Sequence, residues 1–396
     1  MVINKIIIGD LMNILILNVG SSSVKYSVYE VINSSAPQEK KKSKAQPVFK
    51  KIHGGLFERV LIDSDRTAAV STIKRTLSDM NLSVDLIGHR VVHGCDLVAP
   101  MLVDNSLITF LKGISDLAPL HELPEIDVIE ECRSAFPTTK QFVVFDTSFH
   151  ASMPEKARVY GLPYSFYESG IKRYGFHGSS HKFVSAKAIA LLCTRSKKFK
   201  RHSRIITCHL GNGCSIAAIK DGKSIDTSMG FTPLEGLVMG TRSGTIDPGM
   251  VSYLSNLGHD VSEISNILNN QSGLLGISGV SSDMRDLVSI MKKNSRARLA
   301  VDVFCYNAKK FIGSYAAVLD GVDAVVFTGG IGENSAIIRR MVLENLDYLG
   351  IHLDSKKNLK NSVLISSPHS RVKLFVIRTD EEELIASESY DCFRKL

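Results

Sequence analysis

Two segments about 190 residues apart follow one plan. "ILILNVGSSSVKYSVYEV" (14–31) and "IITCHLGNGCSIAAIKDGKSIDTS" (205–228) each run from an apolar strand, through a turn of glycine, serine or asparagine, into a second strand of alternating pattern. A chain that repeats this plan folds as two similar halves, and 396 residues exceed what one core usually holds. The seam falls in the proline- and glycine-bearing stretch "MPEKARVYGLPYSFYESGIKRYGFHG", near residue 158.

Further short runs rich in branched residues, "LIGHRVVHG", "QFVVFD", "AVVFTGG" and "KLFVIRTD", read as strands. Helical patterns lie between them. In "RLAVDVFCYNAKKFIGSYAAVLDG", Leu299, Val303, Phe304, Ala308, Phe311, Ile312 and Tyr315 recur at spacings of three and four, and Gly321 is the expected stop. Strands alternating with helices define an α/β protein. Residues 33–50 read as a charged insertion in the first half, and residues 1–11 as an extension before a candidate start at Met12.

Charge excludes little. The net +8 is concentrated in "EKKKSKAQ" and "RSKKFKRHSR", which read as solvated surface, and no nucleic-acid module surrounds them. No stretch is long and apolar enough to span a bilayer as a helix. Seven scattered cysteines without a C-x-x-C pair point to a reducing cytoplasm.

Chemistry concentrates at the turns. Backbone N–H groups freed by glycine form anion-binding nests, and Lys25 follows the first turn closely enough to reach the same anion. Each turn alone also reads as a plain hairpin. A third loop, "VVFTGGIGENS" (325–335), ends a buried strand in Gly329, Gly330 and Gly332, with Glu333, Asn334 and Ser335 beginning a helix, the arrangement expected at a nucleotide. It matches neither a P-loop nor G-x-G-x-x-G. Asp146 ends the strand "QFVVFD", where an α/β sheet opens to ligand, although Asp there also caps helices. Arg90 and Arg242 sit in glycine-flanked settings that suit carboxylate or phosphate oxygens. His121, His177 and His209 lie in loops beside glycine or proline, and the absence of H-E-x-x-H or a Cys/His cluster favours oxygen ligation of Mg²⁺ over a histidine-bound metal.

The segments "ILNVGSSSVKY", "HRVVHG", "APLH", "FDTSFHASMP", "RYGFHGSSHKFV", "CHLGNGCSIAAI", "DTSMGFTPLEGLVMGTRSGTIDPG", "SSDMRDL", "FTGGIGENS" and "VIRTDEE" together resemble the acetate and propionate kinase family, in its order and over nearly the whole chain. The resemblance implies two duplicated actin-like (ribonuclease H-like) α/β domains with a nucleotide cleft between them. These would span 12–158 and 159–385, with 386–396 returning to the first. It also implies a homodimer, and reversible transfer of the ATP γ-phosphoryl group to acetate, giving acetyl phosphate and ADP. By position, Asn18 and Glu381 match metal ligands for Mg²⁺, with Mn²⁺ as an alternative. Lys25, His209, Leu210, Gly211, Asn212, Gly213, Asp283, Met284, Arg285, Gly330, Ile331, Gly332, Glu333 and Asn334 match nucleotide contacts. Arg90 matches the acetate-binding arginine, Val92, Leu120, Phe176 and Pro233 the pocket for its methyl group, and Asp146, His177, Arg242 and His121 the catalytic set.

Two expectations refine this. A carboxylate acceptor, pKa about 4, is already ionised and needs no general base, so Asp146 is expected to orient an arginine or the metal's shell. Valine at 92 favours acetate over propionate, though one methylene is worth only about 1–3 kcal/mol. The chain departs from the family pattern at Val19, Cys95, Glu122, Leu123, Thr245 and Glu383; Cys95 stands where glycine is common, and Thr245 replaces an aspartate. Glu122 would raise the pKa of His121 if the two meet, and the extra acid leaves Glu381 and Glu382 as rival metal ligands. The reading from a different class is an actin-like nucleotide switch that phosphorylates no small molecule.

Overall fold

Residues 12–20, 23–32, 47–60, 62–115 and 119–396 are described by a computed structural model, apart from the side chains of 119–121. The extension 1–11, Ser21 and Ser22 of the first turn, residues 33–46 of the insertion, and the side chains of Leu120 and His121 therefore lie outside the described residues.

The chain divides into two units, one running to Ser148 and resuming at Asp380–Leu396, the other Phe149–Thr379. The expected borders near 158 and 386 differ for local reasons. Arg158 donates to the carbonyl of Arg173, and Tyr160 O–H donates to Glu235 at 2.5 Å, so this stretch belongs with the second unit. At the other border Asp380 caps the helix Glu381–Phe393, accepting Glu383 N–H at 2.9 Å, and that whole helix packs in the first unit.

The first sheet contains β1 (Met12–Gly20), β2 (Ser23–Ile32), β3 (Val48–Glu58), β4 (Leu86–Val91), β5 (Met101–Leu102) and β6 (Lys140–Phe145), in the order β3-β2-β1-β4-β6-β5. The second contains β7 (Arg204–Leu210), β8 (Cys214–Lys220), β9 (Lys223–Thr227), β10 (Ala324–Thr328) and β11 (Lys373–Val376), in the order β11-β10-β7-β8-β9. Both follow one scheme: an antiparallel three-strand meander whose first strand pairs in parallel with a later strand, which in turn pairs in parallel with another. The duplication read from the two turns therefore extends through each half. Val48–Lys50, expected in the insertion, instead begin β3 and pair with Ile32–Glu30.

Period-2 alternation sorts the first sheet into two buried faces. Leu15, Leu17 and Val19 pack with Ile73, Leu77 and Val128 on one side. Ile14 and Ile16 pack with Phe142, Val144, Ile385 and Tyr390 on the other. Gly88 is what lets the helix Glu381–Phe393 lie so close: a Cβ there would meet Ser389 Oγ at 2.7 Å and Ile385 at 3.0 Å. In the second unit the long helix is Ser295–Val318, followed by Gly321 at φ +105°. Its buried stripe includes Ala300, Phe304, Ala308, Ile312 and Tyr315, while Leu299, expected in that stripe, faces solvent. No helix among the described residues is long and apolar enough to cross a membrane.

Candidate active site

In the first unit the row Ile14–Ile16 continues to Asn18, Phe142–Val144 continues to Asp146, and Leu86–Gly88 continues to Arg90. The core-facing side of the three parallel strands thus becomes polar at their carboxyl ends, beneath the first turn of Glu381–Phe393. Register makes Lys25, Asn18 and Arg90 direct neighbours across β2, β1 and β4.

Arg90 organises this end. Asp146, fully buried, accepts from Arg90 Nε at 3.2 Å and from Nη2 at 2.5 Å, and Asn18 Oδ1 accepts from Nη1 at 3.1 Å. Burial alone would lower the arginine pKa, but Asp146 and then Glu381 outweigh it and hold the guanidinium charged. Asp146 therefore holds Arg90 through two contacts. Glu381 approaches Arg90 Nε at 3.8 Å and makes no hydrogen bond among the described residues. Burial pushes its carboxyl up to about 7, with Arg90 opposing and Asp146 adding. Glu382 has different company: Lys25 Nζ at 2.7 Å, Lys51 Nζ at 3.1 Å and the Ser27 hydroxyl at 2.6 Å. Burial works against its ionisation, but the bonds from Lys25 and Ser27 hold its pKa below the ordinary value.

That difference bears on the metal. Among the described residues no group of three or more His, Cys, Asp or Glu side chains could hold a cation. Asn18 Oδ1 and the Glu381 carboxylate both lie beside Arg90, and the carboxylate is largely buried without a hydrogen bond among the described residues. Two hard oxygen donors fit Mg²⁺, which keeps most of its shell as water and phosphate oxygens. Glu382, already held by two lysines and a serine, does not fit that role.

Val92 and His93 follow β4. The Val92 N–H donates to Glu125 at 3.0 Å and the His93 N–H to Glu122 at 2.8 Å, both acids being buried on the helix Pro119–Ala135. Glu122 thus spends its carboxyl on the exit loop of β4. Cys95, where the family pattern favours glycine, has φ +51°.

In the second unit three predicted segments meet around a cavity of about 740 Å³. Gly211 and Asn212 come from the turn after β7, Asp283, Met284 and Arg285 from the start of the helix Met284–Ile290, and Gly330, Ile331 and Asn334 from the segment directly after β10. Ser282, Val288 and Ser335 also line it; Ser282 and Ser335 lie within the quoted segments without being among the expected contacts, and Val288 follows "SSDMRDL" directly. Leu210, Gly332 and Glu333, expected as contacts, are not in that lining. Leu210 is core, Gly332 packs behind it, and Glu333 turns back to accept from Thr328 Oγ1, Gly329 N–H and Thr379 N–H. Gly329–Asn334 is itself one short helix, so helical structure starts at the glycines and not after them. Gly329, at φ +77°, lies against the Leu210 backbone, where a Cβ would sit 2.7 Å from its carbonyl oxygen.

Gly213 and His209 join this cavity's turn to the remaining pair. His177 caps the helix Gly178–Cys193 with φ +56° and stacks on His209 at 4.3 Å between ring centroids. A Cβ on Gly213 would stand 3.4 Å from His177 Nε2 and 3.6 Å from Arg242 Nη1, so both side chains flank one open point. The Arg242 guanidinium donates to the Pro233 carbonyl at 3.4 Å and to Met239 Sδ at 3.9 Å, and no carboxylate pairs with it among the described residues. Its burial lowers its pKa. The substitution at Thr245 keeps an acceptor in this loop, since its hydroxyl receives Gly236 N–H at 3.1 Å. Phe176 is buried, and its carbonyl accepts from His150 Nε2 at 3.0 Å.

Residues 13–387 match the family model described as the Acetokinase family. This chain belongs to the acetokinase family. It is 45% identical to the acetate kinase of Clostridium kluyveri, covering 96% of this chain and 97% of that one. Among solved structures it is similar to the acetate kinase of Porphyromonas gingivalis, at 37% identity and a TM-score of 0.83, covering 96% of this chain and 100% of that one. It is also similar to a propionate kinase from Francisella tularensis, at 40% identity and a TM-score of 0.83, covering 96% and 99%. The fold of two α/β halves with a repeated strand order is thus that of this family.

Proposed function

We infer that the chain is a phosphotransferase with acetate kinase activity, reversibly moving the γ-phosphoryl group of ATP to the carboxylate of acetate. The observation that carries the mechanism is Arg242. A partly buried guanidinium without a carboxylate is costly to keep, and it stands beside His177 at an open point on the turn that continues into the 740 Å³ cavity. Phosphoryl transfer asks for such a group, because its transition state needs positioning and charge neutralisation more than covalent help.

Arg90 has three of its five N–H groups committed to Asp146 and Asn18, which leaves the outer Nη hydrogens for the acceptor carboxylate. Asp146 fixes that fork and takes no proton. Arg242 and His177 donate to the transferred group, and the cavity lined by Asn212, Asp283 and Gly330 takes the nucleotide. Asn18 and Glu381 would hold Mg²⁺, which would neutralise charge on the phosphate oxygens. Lys25, half exposed beyond Glu382, remains the lysine for the phosphates.

Replacing Arg242 by alanine should lower kcat by roughly 10² or more while leaving ATP binding nearly intact, as loss of one oxyanion donor does. Near-normal turnover would sink the assignment. Propionate is the second reading, favoured by the similarity to a propionate kinase and opposed by Val92. Comparing kcat/KM for acetate, propionate and butyrate with ATP and Mg²⁺ separates the two. We also propose a homodimer. The helix Gly249–Asn256 buries none of its residues and exposes Met250, Tyr253 and, just beyond, Leu257 along one stripe. We also propose a reducing cytoplasmic setting, from the seven scattered cysteines with no C-x-x-C pair in the sequence.

A further inference from the structure

Behind His177 a chain of buried hydrogen bonds runs back into the second sheet. Ser215, on β8, lies with its hydroxyl 2.8 Å from His177 Nδ1 and 2.7 Å from His181 Nε2. His181, on the first turn of the helix Gly178–Cys193, places Nδ1 2.7 Å from the hydroxyl of Thr207 on β7. Thr207, His181 and Ser215 are all fully buried.

The order of protons along this chain follows from its inner end. The Thr207 hydroxyl has no other hydrogen-bond partner among the described residues, so its hydrogen goes to His181 Nδ1. Burial, reinforced by His150 and His209, keeps His181 neutral, so a ring accepting at Nδ1 carries its one proton on Nε2. That N–H donates to Ser215, whose own hydrogen is left for His177 Nδ1. A neutral His177 then carries its proton on Nε2, the nitrogen near the point shared with Arg242. Reversing the chain strands the Thr207 hydrogen in the core, which biases the two arrangements by about tenfold or more. Protonating His177 on Nδ1 as well would aim two N–H groups at Ser215 and strand the serine hydrogen instead.

We propose that Thr207, His181 and Ser215 are positioning residues that hold His177 as a neutral Nε2–H donor toward a phosphoryl oxygen. This rests on the reading that His177 addresses the transferred group. The donor is then present before the phosphoryl group arrives, and no protonation step is needed to create it.

Nitrogen-15 NMR of the histidine-labelled enzyme reads the tautomer without turnover, with His177→Gln identifying the signal. The wild type should show the Nε2–H form at neutral pH, and Ser215→Ala or Thr207→Val should shift it toward a mixture. In kinetics, Ser215→Ala should lower kcat about 10- to 100-fold, as loss of a histidine-orienting partner does, with KM for ATP and acetate within about threefold. At 181, glutamine reproduces the Nε2 contact with Ser215 and asparagine the Nδ1 contact with Thr207. His181→Gln should therefore retain much more of kcat than His181→Asn, an order that a purely structural role would not impose. A Nδ1–H or doubly protonated His177 in the wild type, or equal activity of the two His181 variants, overturns the proposal. Wild-type turnover by His177→Gln would instead overturn the role of His177 itself.

Discussion

Cys95 holds a backbone conformation that glycine adopts freely and an L-residue reaches at a penalty of about 1–2 kcal/mol. Cys95→Gly should therefore stabilise the protein by about 0.5–1 kcal/mol after the greater freedom of glycine in the unfolded chain is subtracted. Urea denaturation checks this, and an unchanged or lower midpoint would refute it. Glu381 and Glu382 are adjacent in sequence but oppositely placed, one beside Arg90 and Asn18, the other clasped by Lys25, Lys51 and Ser27. Glu381→Gln should raise the Mg²⁺ concentration for half-maximal rate by about tenfold or more, and Glu382→Gln should shift it far less while lowering thermal stability. Asp146 was legible because an apolar run that turns polar announces where a sheet opens, Arg90 because of its glycine-flanked setting, and Asn18 only through the family resemblance. Thr207, Ser215 and His181 were not, since a buried serine or threonine in a strand looks like ordinary filler. Only the spacing of His181, four residues after His177 on a helix, hinted that the two point the same way.

At the level of elements, the helix Pro119–Ala135 and the loop leaving β4 are joined by two buried acids. Burial pushes the Glu122 carboxyl up to about 8 and also raises Glu125, which the neighbouring Glu122 raises further. In the unfolded chain Glu122 ionises near pH 4.5. Between those values the native state binds the extra proton, so its contribution is full below about pH 4.5 and is lost as pH rises toward 8. The slope is at most about 1.4 kcal/mol per pH unit. Glu122→Gln, which keeps an acceptor for His93 N–H, should flatten that dependence in urea melts at pH 5 to 8. A variant with the wild-type slope would show that Glu122 is not the titrating group. Elements missed from sequence had weak or ambiguous signals. β9 follows Asp221–Gly222, at φ +54° and +79°, a two-residue hairpin signal that merges visually with the strand before it. Leu299 fitted the helical spacing, but that period does not say which of two adjacent stripes meets the core when Ala300 and Val301 supply one as well.

Over the whole molecule, each sheet repeats the other's strand order, and the first is completed by a helix from the far end of the sequence. A chain ending at Thr379 leaves Ile14, Ile16, Phe142 and Val144 uncovered. Hydrogen exchange should then show lost protection in β1, β4 and β6, with β7, β8 and β10 retaining theirs; uniform protection would refute this dependence. Leu257→Glu should give monomers in sedimentation velocity if the exposed stripe beyond Gly249–Asn256 is the dimer contact. During synthesis the same arrangement sets a calendar. The strands bearing Asn18, Arg90 and Asp146 leave the ribosome first, but their covering helix, with Glu381 and Glu382, follows only after all of Phe149–Thr379 has been made. The half that begins first is thus finished last, and its apolar face must be kept from aggregation throughout, a waiting period in which a nascent chain has its greatest use for a chaperone.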